Sequence, residues 1–430
     1  LIIYTDGSCQ KNGKLDAACG SGIWAGDDHP INTAAKVPGT NQSNQAGEIA
    51  AIIYALEKTD DFTPIHFKTD SRYVIDGLTQ HLKSWEDAGW IGIANKELFQ
   101  TAAYLLRKRA AQTKFSWVKG HSGILGNEEA DKLADEGSKK NTDDQITTEI
   151  PKNFIIQGAK LETITQRLAY EAIGHISSNK PRRQTIINLD ITRYAIEELT
   201  GSVETDASLW KACRHEDLTQ PVKQFLYKSL HGAFKIGEFW NGIPNYEQRS
   251  RCPICTEETE SMEHILTECE KSHQNLLWSL AKGIWPDSKY QWPEIKIGTI
   301  LGCGAISLQS EENSDSSENE KTKPSAETTG KSRLLRILIS ETAHLIWTTR
   351  CSHAIGGIEL SVDKITTRWY TAIEKRLITD RLHLRKQRSP RKKDIKKVLH
   401  TWSGTLCDEN SLPYDWVEQH EAATESHTPR

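Results

Sequence analysis

The chain has 430 residues, of which 37% are hydrophobic and 7% aromatic, and a formal net charge of -4. That length exceeds one small core and implies two or three domains, while the absence of any apolar run near the roughly 20 residues of a bilayer-crossing helix argues against a membrane partner. The modest net charge hides acids gathered over 311–327 and bases over 376–397, so local patches speak about partners more than the average does.

No secretory leader is visible. Nine cysteines, an odd number without a regular framework, suggest reducing intracellular conditions with some thiols on metal. Nucleus and cytoplasm both fit. Leu1 stands where Met would open a chain, and Leu1-Ile2-Ile3-Tyr4 already reads as a strand, which implies that the sequence continues upstream.

In chain order, 1–9 and 19–25 read as strands parted by a polar turn at Asn12-Gly13. A third strand is expected over 31–37. Ile49, Ile52, Ile53 and Leu56 recur at helical spacing and predict a helix over 45–58. A short buried strand over 64–69 ends at Asp70. Helices are expected over 71–82 and 95–111, then a strand over 115–118 and a last helix over 127–138. The expected fold is therefore α/β: a mixed five-stranded sheet with flanking helices, followed by a mostly helical region.

The five expected segments are a first domain over 1–142, a linker and helical segment over 143–204, and a helical region with a cysteine cluster over 205–306. A polar stretch over 307–332, too poor in large apolar side chains to offset ordering, is read as disordered. A helical basic region over 333–430 closes the chain, interrupted at Pro390.

Four carboxylates carry the chemistry: Asp6 in Tyr4-Thr5-Asp6-Gly7-Ser8, Glu48 near a helix start, Asp70 at a strand end, and Asp131 in Asn127-Glu128-Glu129-Ala130-Asp131. Each alone has a structural reading. Asp-Gly is a common turn pair, Asp70 before Ser71 could cap a helix, Glu48 could be solvated, and Asp131 could pair with a lysine. Their placement on a strand, a strand end and two helix starts lets one sheet gather them. Gathered, four acids would hold protons unless divalent cations neutralised them. Two Mg²⁺ ions about 4 Å apart would suit phosphodiester hydrolysis. His121, in Lys119-Gly120-His121-Ser122-Gly123, could shuttle a proton.

As a set, these acids in this order, the Ser8-Cys9 pair, the Lys-Gly-His-Ser-Gly run and the Asn-Glu-x-Ala-Asp run resemble type 1 ribonuclease H over residues 1–140. The resemblance implies a ribonuclease H-like fold. It also implies two-Mg²⁺ cleavage (Mn²⁺ substituting) of the RNA strand of an RNA–DNA hybrid, leaving 5′-phosphates. Asp6, Glu48, Asp70 and Asp131 would be the metal ligands and His121 a mobile catalytic histidine. Asn12, Asn44 and Gln45 would contact 2′-hydroxyls, and Arg72 the hybrid backbone. Trp85 and Trp90 would lie along the DNA strand. Glu86 and Asp87 stand where cellular members often carry bases, so DNA-strand binding by this domain is expected to be weaker.

Cys252-Pro-Ile-Cys255, His264 and Cys269 have the spacing of a structural zinc site; the alternative is metal-free buried cysteines. The order of the two regions resembles the C-terminal part of non-LTR (LINE-type) retrotransposon polyproteins. That implies a retroelement origin, an upstream reverse transcriptase, and roles in removing template RNA or RNA primers. Arg376, Arg381, Arg385, Lys386, Arg388, Arg391, Lys392, Lys393, Lys396 and Lys397 make a basic tail that could contact other nucleic acid, carry a nuclear localisation signal or simply be solvated. The rival to an enzyme is a catalytically inactive nucleic-acid-binding remnant.

Overall fold

A computed structural model of the chain describes residues 1–39, 42–147, 149–154, 158–176, 182–286, 290–308, 325–387, 391–407, 409–413 and 416–417. It divides into two compact units, Leu1–Lys180 and Pro181–Arg430.

The first unit is built on one five-stranded sheet in the order β3-β2-β1-β4-β5. Strands β1 (Ile2–Gln10), β2 (Ala18–Trp24) and β3 (Thr33–Lys36) are antiparallel, and β4 (Ile65–Thr69) and β5 (Thr113–Trp117) add in parallel beyond β1. Helix α1 (Asn44–Lys58) starts where the Ser43 hydroxyl accepts from the Ala46 N–H, satisfying one of the orphan donors of a helix start. Its Ile49, Ile52 and Ile53 are fully buried, each contributing about 1.5–3 kcal/mol of apolar burial.

The stretch predicted as one helix over 71–82 is α2 (Arg72–Asp76), a π-helical turn (Gly77–His81) and α3 (Leu82–Asp87). Helices α4 (Lys96–Lys108) and α5 (Leu125–Ser138) follow, then α6 (Gln166–Ile176). The unit does not stop near residue 142. The Asp144 carboxylate accepts from the Lys36 N–H at 2.7 Å, and its carbonyl accepts from the Tyr54 hydroxyl at 3.2 Å.

Cys9 and Cys19 face each other across β1 and β2 and are disulfide-bonded. Linear spacing could not show this, because antiparallel register brings the pair together. The other seven cysteines are free.

The second unit is helical: α7 (Arg183–Thr200), α8 (Asp206–Ala212), α9 (Gln220–Leu230), α10 (Gln274–Ile284), α11 (Ile297–Leu301), α12 (Ala326–Gly356), α13 (Val362–Arg385) and α14 (Lys392–Trp402). The stretch read as disordered over 307–332 falls mostly outside the described residues. Its end does not fit that reading: residues 326–332 open α12, where Thr328, Lys331 and Ser332 are buried. Among the described residues no helix is long and apolar enough to cross a membrane.

The core of this unit carries ions. Arg333 and Arg336 of α12 both bond the buried Asp217, and Arg333 also forks onto Asp380 at 2.6 and 2.7 Å. Burial would raise the Asp217 carboxyl, yet the two guanidiniums and Lys397 hold it far below the usual carboxylate range.

Pro390 and Arg388 lie outside the described residues. The basic tail is sorted by packing. Arg376 bonds Glu341 and the Asp217 carbonyl, and Arg381 is buried against the Trp416 ring. Arg391 pairs with Asp394 and Lys397 with Glu216. The phosphate-contact reading therefore fails for Arg376 and Arg381, which helical periodicity turns inward, while Lys386, Lys392, Lys393 and Lys396 stay exposed.

Candidate active site and metal centres

The site begins with close backbone packing. A Cβ on Gly7 would stand 2.4 Å from the Glu48 nitrogen, so only glycine lets α1 press this tightly on β1. The Ser21 hydroxyl fastens the same contact by donating to the Gly47 carbonyl at 2.7 Å. Glu48 is thereby carried to Asp6. On β2, a Cβ at Gly20 or Gly22 would meet the Ala134 or Ala130 carbonyl oxygen at 2.0 or 1.9 Å. Residues alternate faces along a strand, so α1 and α5 cover opposite faces. Asp6 pairs in register with Gly22, beside the α5 turn that bears Asp131.

Asp6, Glu48 and Asp70 each offer an oxygen within 4.8 Å of the others. Asp131 is not in this tightest group, but its charge is near enough to act on Asp6 and Glu48. Asp6 is 6% exposed and Glu48 7%. Burial, then the Asp70 charge, raises the Asp6 carboxyl to about 7 even though the Gly7 N–H donates to it at 2.7 Å. Burial and the Asp6 charge push Glu48 up as well, and Asp131 is raised first by burial, with His121 opposing. Glu48 Oε2 is buried with no hydrogen-bond partner among the described residues. A buried oxygen without a donor, beside two more carboxylates, fits a hard divalent cation.

His121 lies in a turn with left-handed backbone, φ +48°, and is exposed. Gly120 packs against the site, where a Cβ would sit 2.2 Å from an Asp70 carboxylate oxygen and would have to displace that carboxylate. The turn is tied twice: the Ser122 hydroxyl donates to the Lys119 carbonyl at 2.6 Å, and the Gly123 N–H donates to Glu128 at 3.0 Å. Glu128 was legible only as part of a motif; its hold on the turn depends on α5 starting at Leu125.

Asn12, Asn44 and Gln45 are exposed, the first in the β1–β2 turn and the others on the first turn of α1. Arg72 is exposed and its guanidinium stacks 4.9 Å from the Trp117 ring centroid. The Trp117 indole N–H in turn donates to the Asp70 carbonyl at 3.0 Å. Sequence reading gave Trp117 no role; its position two residues before Lys119 was the available signal.

Trp90 is 5% exposed and belongs to the core, whereas the resemblance suggested a surface position. Trp85 is half-buried against Phe99 and Trp90, at 4.8 and 6.0 Å between ring centroids. Gly77, in the π-helical turn, packs close to the same cluster: a Cβ there would stand 2.5 Å from the Phe99 ring and 3.0 Å from Trp85. The acids Glu86 and Asp87 are paired with Arg107 and Lys160.

In the second unit, ligand atoms of Cys252, Cys255, His264 and Cys269 all lie within 4.8 Å of one another. Cys252 and Cys269 sulfurs are 3.8 Å apart, and Cys255 Sγ is 3.4 Å from His264 Nε2. A tetrahedron with 2.3 Å Zn–S bonds has an edge of about 3.8 Å. Burial opposes the Cys255 thiolate, but N–H groups of Glu258 and Glu257 bring it down to about 7; burial pushes Cys252 up to about 12. The cluster can hold a metal.

Sheet order, helices on both faces and an acid cluster on β1, α1 and the β4 end define the ribonuclease H fold. The family model described as RNase H matches residues 1–139. Ribonuclease H of Alcanivorax borkumensis is 37% identical over 145 residues, covering 32% of this chain and 90% of that protein. Ribonuclease H1 of Homo sapiens is 38% identical over 148 residues, 33% of this chain and 51% of that one. The chain belongs to the ribonuclease H family through this first unit, and it spans about half the length of the mammalian relatives it matches. Among solved structures, the foamy virus RNase H domain is 27% identical over 32% of this chain and 93% of its own, with a TM-score of 0.27.

Proposed function

We propose that the chain is a ribonuclease H that cuts the RNA strand of RNA–DNA hybrids to 5′-phosphate products. The observation that carries this is the packing of Asp6, Glu48 and Asp70 into one group with an unpartnered buried oxygen. These three, with Asp131 beside them, would hold Mg²⁺ or Mn²⁺, which when bound supplies an activated water and charge neutralisation at the leaving oxygen.

The chain's own residues do the rest. Burial and neighbouring acids disfavour the charged forms of Asp6 and Glu48, and a bound cation would compensate that charge. Gly120 keeps the wall over Asp70 thin enough for substrate. His121, on an exposed turn anchored through Glu128, takes or gives a proton at its imidazole as product leaves. Asn12, Asn44 and Gln45 present amides that both donate to and accept from 2′-hydroxyls. Trp117 holds the Arg72 guanidinium flat beside Asp70 for a phosphate.

The Cys252, Cys255, His264 and Cys269 cluster is a structural zinc site, since four protein ligands leave no open position. The exposed lysines of α14 add non-specific phosphate contact. The order of nuclease unit and zinc cluster supports descent from a LINE-type retroelement, with a reverse transcriptase as upstream partner and template-RNA or primer removal as the task.

The test is cleavage of an end-labelled hybrid by the full chain. Cleavage should require Mg²⁺ or Mn²⁺, stop with EDTA, and fall by at least about a thousandfold in Asp70→Asn. Cutting that survives EDTA or the substitution removes the reading.

A further inference from the structure

We propose that residues 235–251 of the second unit form a platform that binds single-stranded nucleic acid by stacking. Three aromatic rings meet there, Phe239 edge-on to Trp240 at an interplanar angle of 87° and Trp240 tilted by 37° against Tyr246. Phe239 and Tyr246 are 44% and 43% exposed, with Trp240 between them at centroid distances of 5.3 and 6.0 Å. Cations lie against the rings: the Lys235 ammonium is 5.4 Å from the Phe239 centroid, and the Arg249 guanidinium is 5.2 and 5.0 Å from Trp240 and Tyr246.

The platform is held in shape before any ligand arrives. The Trp240 indole N–H donates to the Lys235 carbonyl at 2.9 Å. Gly237 has φ +54°, and a Cβ there would come within 1.9 Å of the Glu260 carbonyl oxygen, so the turn bearing Phe239 and Trp240 is pressed onto the chain at Glu260. Glu260 is itself buried and paired with Arg350 of α12. The Glu260 N–H donates to the Ser250 carbonyl at 2.8 Å, and Arg251 bridges to Thr259, so the platform runs directly into Cys252. Little ordering entropy is left to lose on binding.

The chemistry selects the partner. Bases stack on aromatic rings and on guanidinium planes, at about 1–3 kcal/mol per base. Over 235–251 the sequence carries three cations, Lys235, Arg249 and Arg251, and two carboxylates, Glu238 and Glu247, a balance of +1. That is too little charge to clamp a duplex through its phosphates, and paired bases offer no free faces. An unpaired strand supplies faces for the rings and phosphates for the few cations.

The test uses the full chain without Mg²⁺ and a fluorescein-labelled single strand of about 12 nucleotides, read by anisotropy. The double variant Phe239→Ala/Tyr246→Ala should weaken binding about 10- to 100-fold. Arg249→Gln should lower the slope of log affinity against log salt by about 0.7. Both should keep the wild-type circular dichroism spectrum and zinc content, and both should cut hybrid as wild type does. Affinities within about twofold of wild type in both variants overturn the proposal. So does a wild-type chain that binds no single strand, which assigns the rings to a protein contact instead. The inference is independent of the nuclease reading, because a chain inert on hybrids that still binds strands through these residues keeps it.

Discussion

Asp6 and Glu48 are carboxylates where burial and neighbouring acids disfavour their charge, and stability should register this. Asp6 keeps its proton up to about 7 when folded, against an ordinary value of 3.8. A raised acid favours the folded state below its unfolded value, and that advantage is lost as pH rises toward the folded value. Without added divalent cation, amide exchange in β1 and α1 should therefore quicken from pH 5 to pH 8, after correction for intrinsic exchange. Asp6→Asn should flatten that trend and stabilise the cation-free unit at pH 8 by about 1–3 kcal/mol. A destabilised Asp6→Asn chain would contradict the burial argument. Asp217 shows the opposite case. Its carboxyl is held far below 3.8 by Arg333 and Arg336, so its contribution is present above the unfolded value and lost only in strong acid. Asp217→Asn should cost about 3–5 kcal/mol at pH 7, because two buried guanidiniums lose their anion; denaturant unfolding of the full chain reads this.

At the scale of elements, the glycines at 20 and 22 set where α5 lies on β2, and with it where Asp131 stands. Gly22→Ala should destabilise the first unit by about 2–4 kcal/mol and reduce cleavage even where the fold survives, since the added methyl has the Ala130 carbonyl in its way. Gly13→Ala tests the specificity of that effect: open space surrounds Gly13, and only its φ of +84° carries strain. It should leave cleavage per folded molecule unchanged.

Helix α1 was legible because its apolar residues recur at helical spacing, and the acids because of the short motifs around them, although Asp6 lies within β1 and Asp131 within α5 rather than at their ends. Depth was not legible. The family motif suggested a DNA-binding surface for Trp90, whereas its ring is buried in the core. Arg376 and Arg381 looked like tail charges, but their partners Asp217, Glu341 and Trp416 lie up to 159 residues away in sequence. Cys9 and Cys19 required the register. The tight group of three, with Asp131 outside it, depends on side-chain reach that spacing does not encode.

For the whole molecule, the two compact units offer different candidate ligand sets: carboxylate oxygens in the first, and thiols with an imidazole in the second. One equivalent of zinc should survive purification and dialysis without a chelator, and Cys255→Ser should lose it; less than about half an equivalent in the wild type would remove the zinc assignment. The central claim concerns the first unit, that its buried acids form one cation site. The direct measurement is Mn²⁺ binding to the full zinc-loaded chain at pH 8, counted by electron paramagnetic resonance. Saturable binding in the wild type that weakens by at least about tenfold in Asp70→Asn and in Glu48→Gln is the predicted result. Equal Mn²⁺ binding by the wild type and both variants would contradict it.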